Sequence, residues 1–224
     1  MKGLVTCSLV LPALLLAVDA MAQTQAAPPS DPTPLTVEAP AKKDRGAFVL
    51  AGKVGGIVTF SGLNPNLRAA VEVGYVFPWL KRSFAAVVEV GYAAPQTDGT
   101  QAGDPRVVGG TYNWHLTEQE LTVMPEIVYR LTALRTIVPY IGIGPRVYML
   151  RSNVKGSVNG TPISETTEQS TKVGLGIPLG LQYNLGPGGL TAEVLFEYGA
   201  LDHTATGDSN TGGVSLLLGY RFLL

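Results

Sequence analysis

Gly212-Gly213-Val214-Ser215-Leu216-Leu217-Leu218-Gly219-Tyr220-Arg221-Phe222-Leu223-Leu224 is the stretch that decides the fold. Every second residue back from Leu224 is apolar or aromatic: Phe222, Tyr220, Leu218, Leu216 and Val214. The intervening residues, Leu223, Arg221, Gly219, Leu217, Ser215 and Gly213, are mixed, small and polar. A period of two belongs to a strand, whose successive side chains point to opposite faces. One apolar face, two aromatics near its end and a charge on the other face suit a strand that meets lipid in a closed barrel.

Composition points the same way. The chain of 224 residues is 46% hydrophobic and only 15% charged, against a usual charged fraction of about 25%. Its body has no run of roughly 18 apolar residues, so helical spans are not expected. Such a chain must bury its apolar residues in a core or face lipid with strands. A formal net charge of -1 gives no footprint for nucleic acid.

Three regions are expected. Residues 1–22 have the pattern of a secretion signal: Lys2, an apolar stretch from Leu4 to Val18, and Ala20-Met21-Ala22 as a small-x-small cleavage site. The single cysteine, Cys7, lies inside the apolar stretch and not after it, so no acylation site is expected, and the mature chain has no disulfide or thiol chemistry. Residues 23–45 hold Pro28, Pro29, Pro32, Pro34 and Pro40 among small and charged residues and suit a flexible periplasmic linker. Residues 46–224 form the barrel.

Eight alternating segments follow, near 47–60, 67–77, 84–94, 119–131, 137–150, 172–183, 190–200 and 212–224. The connections at 78–83, 132–136 and 185–189 are short. Those at 95–118, 151–171 and 201–211 are longer and polar, while 61–66 is a tight turn with Gly62, Asn64 and Pro65. Short periplasmic turns opposite longer extracellular connections are the outer-membrane pattern. An even strand number puts both ends of the barrel on the periplasmic side.

Alternation alone does not separate a lipid-facing barrel from a soluble one; the charges do. Arg68 and Glu72 share a face, as do Glu120, Glu126 and Arg130, and Glu193 and Glu197. None falls on the apolar face. The opposite face, turned into the bore, is expected to hold Lys53, Arg68, Arg130, Arg146, Lys172 and Arg221 with Glu72, Glu89, Glu120, Glu126, Glu193 and Glu197. Their balance implies mutual pairing, because an unpaired buried charge costs several kcal/mol. A soluble ligand-binding barrel would have the reverse polarity. Phe48, Tyr75, Phe77, Phe84, Tyr129, Tyr183, Tyr220 and Phe222 gather at the periplasmic strand ends, with Phe60, Tyr92 and Tyr198 toward the others, as two interfacial girdles. Leu218→Arg is accordingly expected to harm assembly far more than Ser215→Arg.

The signal-like start, the alternating strands and the ending Leu218-Gly219-Tyr220-Arg221-Phe222-Leu223-Leu224 resemble the eight-stranded outer-membrane β-barrel family that includes the OmpA membrane domain and OmpX. The resemblance implies an all-β, antiparallel up-and-down transmembrane barrel in the bacterial outer membrane. It also implies lipid and lipopolysaccharide as neighbours, and an ending recognised by the barrel-assembly machinery. The family usually ends on an aromatic residue; here two leucines follow Phe222.

Function is less legible. A bore of eight strands is just wide enough for side chains to fill it, so a wide pore is not expected, though a narrow channel stays open. Some relatives act as enzymes on lipid A, and a deacylase of that kind needs Ser and His close together. The His-x-Ser arrangement fails at His203, where Ala205 stands, although Ser209 and Asn210 are near; His115 has no serine within several positions. No catalytic residue, cofactor or metal is therefore assigned. Asp202, His203 and Asp208 match no dedicated cation site and suit a solvated loop. Tyr112-Asn113-Trp114-His115 suits either a surface contact patch, for lipopolysaccharide or a partner reached through the loops, or the outer extension of a strand. Gly174-Leu175-Gly176 sits mid-strand and is no phosphate loop. The expected role is structural or surface contact, without catalysis; a lipid A-modifying enzyme is the alternative.

Overall fold

The computed structural model describes residues 45–105, 109–134, 136–200 and 210–224. The expected signal peptide, the linker up to Asp44, and the loop residues Asp202, His203, Asp208 and Ser209 lie outside them. Among the described residues nine strands form: β1 (Ala47–Thr59), β2 (Asn66–Val76), β3 (Phe84–Ala93), β4 (Gln96–Ala102), β5 (Thr111–Arg130), β6 (Ile137–Val158), β7 (Thr161–Leu185), β8 (Gly188–Gly199) and β9 (Gly213–Leu223).

Eight of them close a ring. Their order is β3-β2-β1-β9-β8-β7-β6-β5, all antiparallel, and β3 pairs back onto β5. The ninth, β4, continues the line of β3 past Ala94 and Pro95. It pairs with β5 from Gln96↔Thr117 to Ala102↔Thr111, directly beyond the last β3 pair, Ala93↔Glu120.

The side chains divide as the charge pattern requires. Phe48, Leu50, Val54, Val71, Val73, Leu121, Ile127, Leu179, Leu181, Leu216 and Leu218 are exposed on the outside, while all six expected glutamates and five of the six expected bases are buried inside. Lys172 is the exception, being only half-buried. Its physical reason lies in the register: pairing of β7 with β8 ends at Gly174↔Gly199, so Lys172 sits just beyond the closed ring. Glu118 joins the buried set and was not expected there.

The polar connections expected at 95–118 and 151–171 are mostly strand. β6 and β7 stay paired from Arg151↔Gln169 out to Val158↔Thr161, with a one-residue register shift between Gly156 and Ser157, and Asn159 and Gly160 turn with φ of 49° and 80°. Backbone pairing supplies the hydrogen bonds there, and both faces meet water, so no apolar stripe marks the segment in the sequence.

Rings cluster at the end that bears the short turns. Phe48 packs edge-on to Tyr75 at 5.3 Å, Phe77 stacks on Trp79 at 5.1 Å, and Phe84–Tyr129 and Tyr220–Phe222 lie at 5.2 and 4.6 Å. In outer-membrane barrels that end faces the periplasm. Inside it, Val49, Val76, Ala85, Val87, Val128 and Tyr140 form an apolar cluster.

Candidate functional site

The bore is crossed by one connected network of charge. Lys53, from β1, reaches Glu193 at 2.6 Å, Glu72 at 2.7 Å, and Glu89. Arg221 grips Glu72 with Nε and Nη2 at 2.8–3.0 Å and lies over the Tyr140 ring at 4.6 Å. From Glu89 the network continues to Arg146 at 3.2 Å, then to Glu197 at 2.6 Å, then to Arg68 at 2.5 Å. Thr122 accepts from both guanidiniums, at 2.6 Å from Arg146 and 3.2 Å from Arg68. The four bases and four acids balance. A Cβ on Gly91 would lie 2.9 Å from Arg68 Nη2, so glycine on this face makes room for the long side chains.

Glu72, Glu89 and Glu193 bring carboxylate oxygens within 4.8 Å of one another, a spacing that could hold a metal ion. The Lys53 ammonium sits among them, so the chain supplies its own cation.

At the opposite, outer end, β4–β7 carry a sheet beyond the ring. One row across it is Asp98–His115–Lys155–Glu165, cross-strand partners on one face. Asp98 Oδ1 meets His115 Nδ1 at 2.5 Å, and Thr117 Oγ1 meets His115 Nε2 at 3.1 Å. With the imidazole neutral, Nδ1–H donates a hydrogen bond to the Asp98 carboxylate, which leaves Nε2 to accept from the Thr117 hydroxyl. A cavity of about 330 Å³ borders His115 and Thr117 and is lined also by Gln119, Arg151, Asn153 and Lys155. Asn153 donates to Glu165 at 2.8 Å and, with Lys155 nearby, holds that carboxyl below its ordinary range. A larger cleft of about 820 Å³ lies along Asp98, Trp114, His115 and Lys155, where the Trp114 indole covers Gly99.

Sequence reasoning singled out Tyr112–His115, and the structure places it in β5 as a strand extension. It missed Asp98 and Thr117. Asp98 is seventeen residues from His115 and meets it only through the β4–β5 register. Thr117 is a hydroxyl two residues beyond His115, a spacing visible in the sequence but outside a His-x-Ser pattern. Of the other expected neighbours, Asn210 is described: its side-chain oxygen accepts from Gly199 N at 3.2 Å and Gly212 N at 2.8 Å, which makes it a turn residue.

The chain is a closed antiparallel ring with an apolar skin and a charged bore, and a family model described as an outer membrane protein beta-barrel domain matches residues 9–222. The chain belongs to this family. Among solved structures this outer-membrane barrel is similar to a major outer membrane protein from Thermus thermophilus, at 15% identity and TM-score 0.50 over 80% of this chain and 100% of that one. It is similar also to Neisserial surface protein A, at 17% identity and TM-score 0.47 over 80% and 97%. A further similar structure is Ail of Yersinia pestis, solved with the heparin analogue sucrose octasulfate, at 19% identity and TM-score 0.41 over 79% and 98%. At these identities the likeness is one of fold. No curated protein matches the chain.

Proposed function

We propose that this protein is a closed outer-membrane barrel whose work is done outside its bore, by the β4–β7 sheet held at the cell surface. One observation carries the proposal: β5, β6 and β7 stay paired well past the outer end of the ring, with polar residues on both faces. The charge network across the bore supports a barrel without a wide pore. Lipopolysaccharide beside the barrel and a surface partner on the sheet are the proposed contacts, and the barrel-assembly machinery is the partner during biogenesis. The test is a shortened hairpin in which residues 153–167 are replaced by Asn-Gly, joining Ser152 to its cross-strand partner Glu168. Cells with the full hairpin should adhere better to immobilised lipopolysaccharide, mucin or collagen than cells with the short one, at equal barrel folding and envelope permeability. Equal adhesion on every surface would leave only a structural role.

A second reading rests on Asp98, His115 and Thr117. Their hydrogen-bond order is that of a hydroxyl activated by a base that a carboxylate orients. Thr117 Oγ1 would attack an acyl ester of an outer-leaflet lipid, its proton passing to His115 Nε2 and on to the leaving alcohol, with water then releasing the acyl group. Lipid A should lose one acyl chain in cells with the wild-type protein and keep it in cells with Thr117→Val. Identical masses would end this reading.

A further inference from the structure

We propose that the short-turn mouth of the barrel is a binding site for a phosphate group, built around Arg130. Each basic side chain of the charge network has a glutamate partner: Lys53, Arg68, Arg146 and Arg221. Arg130 is as deeply buried, at 4% exposure, yet has no carboxylate within ion-pair distance among the described residues. Among the described residues its one side-chain hydrogen bond runs to the neutral Gln182 amide at 3.3 Å, and its Nε has no hydrogen-bond partner. The cations that act on it are Arg221, already gripped by Glu72, and Arg82, while the Tyr140 hydroxyl is the one titratable group among the described residues that favours its charge. Glu126, four residues away along β5, lies too far along the strand to pair with it, since four residues of strand span roughly 13 Å. A buried guanidinium left in this state is costly unless an anion completes it.

The cavity at this mouth has the shape for one. It measures about 490 Å³ and is lined by Arg130, Lys81, Arg82 and the Gly186–Gly188 turn. Lys81 and Arg82 lie in the β2–β3 turn with φ of 56° and 62°, a left-handed backbone that side-chain-bearing residues seldom adopt. One hydrogen bond closes that turn on itself, from Ser83 to Leu80, and two tie it to the end of β5 and the residues that follow. Thr132 Oγ1 donates to the Lys81 carbonyl at 3.2 Å, Ser83 N to the Leu80 carbonyl at 3.1 Å, and Arg130 N to the Ser83 carbonyl at 2.7 Å. Three cations thus converge on one space, and neither Lys81 nor Arg82 has a carboxylate partner among the described residues. A guanidinium fork and two further cations suit a phosphate, which carries more charge than a carboxylate and takes bidentate bonds. The phosphate could belong to a phospholipid headgroup of the inner leaflet or to a soluble periplasmic molecule.

The experiment uses the full barrel in maltoside micelles in phosphate-free buffer at low ionic strength. Inorganic phosphate and dihexanoyl phosphatidylglycerol are titrated separately, read by calorimetry and by the Arg130 Nε–H resonance, with sodium chloride at matched ionic strength as control. At least one probe should bind saturably. Lys81→Gln and Arg82→Gln should each weaken it about tenfold, while Arg151→Gln at the other rim leaves it unchanged. Arg130→Gln should abolish it. Because Arg130 is buried, the two turn variants, checked for folding by gel shift, keep the test decisive if that barrel fails to assemble. Binding of the lipid alone assigns a headgroup, and binding of inorganic phosphate as well assigns a soluble source. Saturable binding of neither probe refutes the site, and so does equal weakening by Arg151→Gln.

Discussion

At Lys53 three carboxylates converge on one ammonium, and the bore depends on it. Removing one member of a buried pair leaves the other charge stranded, at a cost of about 3–5 kcal/mol. Lys53→Met keeps most of the side chain's length and apolar stem, so what it removes is the charge. Glu72, Glu89 and Glu193 would then face one another with only Arg221 and Arg146 to offset them. The variant is expected to lose about 3–5 kcal/mol in urea unfolding from detergent micelles. Adding Glu89→Gln should recover part of that loss, since it removes one of the stranded charges. A loss below about 1 kcal/mol, the range of an exposed pair, would mean the network is hydrated and weakly coupled.

At the scale of the strand, each side chain's place follows from period two, but only where the two faces differ in polarity. β2 shows the contrast: Leu67, Val71 and Val73 are exposed to the outside while Arg68 and Glu72 are buried. The contrast disappears in distal β6 and β7, where Ser, Thr, Asn and Glu occupy both faces, so those residues read as loop although the backbone is paired to Val158↔Thr161. The Asp98–His115 contact was illegible for a related reason: a cross-strand neighbour depends on register, and register here is set by β3 running on into β4. Ser215 shows a different limit. Its inward face was legible, but its surroundings were not: Ser215 Oγ lies 3.3 Å from Arg68 and 3.1 Å from Glu197. A second guanidinium there would crowd the network, so Ser215→Arg is no longer a mild control for Leu218→Arg. Ile163, 47% exposed on the projecting part of β7, is the better one. Leu218→Arg, on the lipid-facing skin, should cost about 2–4 kcal/mol in refolding into bilayers. Ile163→Arg should change it by less than about 0.5 kcal/mol. Similar costs at both positions would put the tip of the β6–β7 hairpin inside the hydrocarbon.

For the whole molecule the decisive feature is closure, because an open sheet edge in lipid leaves backbone groups without partners at several kcal/mol each. The ring closes where β1 meets β9, from Val49↔Leu223 to Thr59↔Gly213. Beyond that register, Phe48 N donates to the Leu224 carbonyl and Leu224 N to the Phe48 carbonyl, both at 2.9 Å. The same last residues also hold the other neighbour, through Gly188↔Phe222 and through Leu223 N to the Pro187 carbonyl at 3.0 Å. Deleting Phe222–Leu224 therefore unties both sides of β9 at the periplasmic end and removes the Tyr220–Phe222 ring pair from the girdle. The unmatched groups belong to Phe48, Val49 and Leu50 on one side and the Gly186–Gly188 turn on the other, all at the depth of the interfacial layer, where water satisfies some of them. Deletion should consequently slow and weaken folding more than it changes the folded barrel. The measurement is the fraction of unboiled protein that runs as the compact band on a gel, followed over time after dilution from urea into lipid vesicles. A large drop in rate and yield is expected, with the surviving fraction still holding the β4–β7 sheet against protease. Full-rate folding would mean that closure is driven by the outer part of the seam, Ile57↔Ser215 to Thr59↔Gly213, and that the terminal residues contribute little to it.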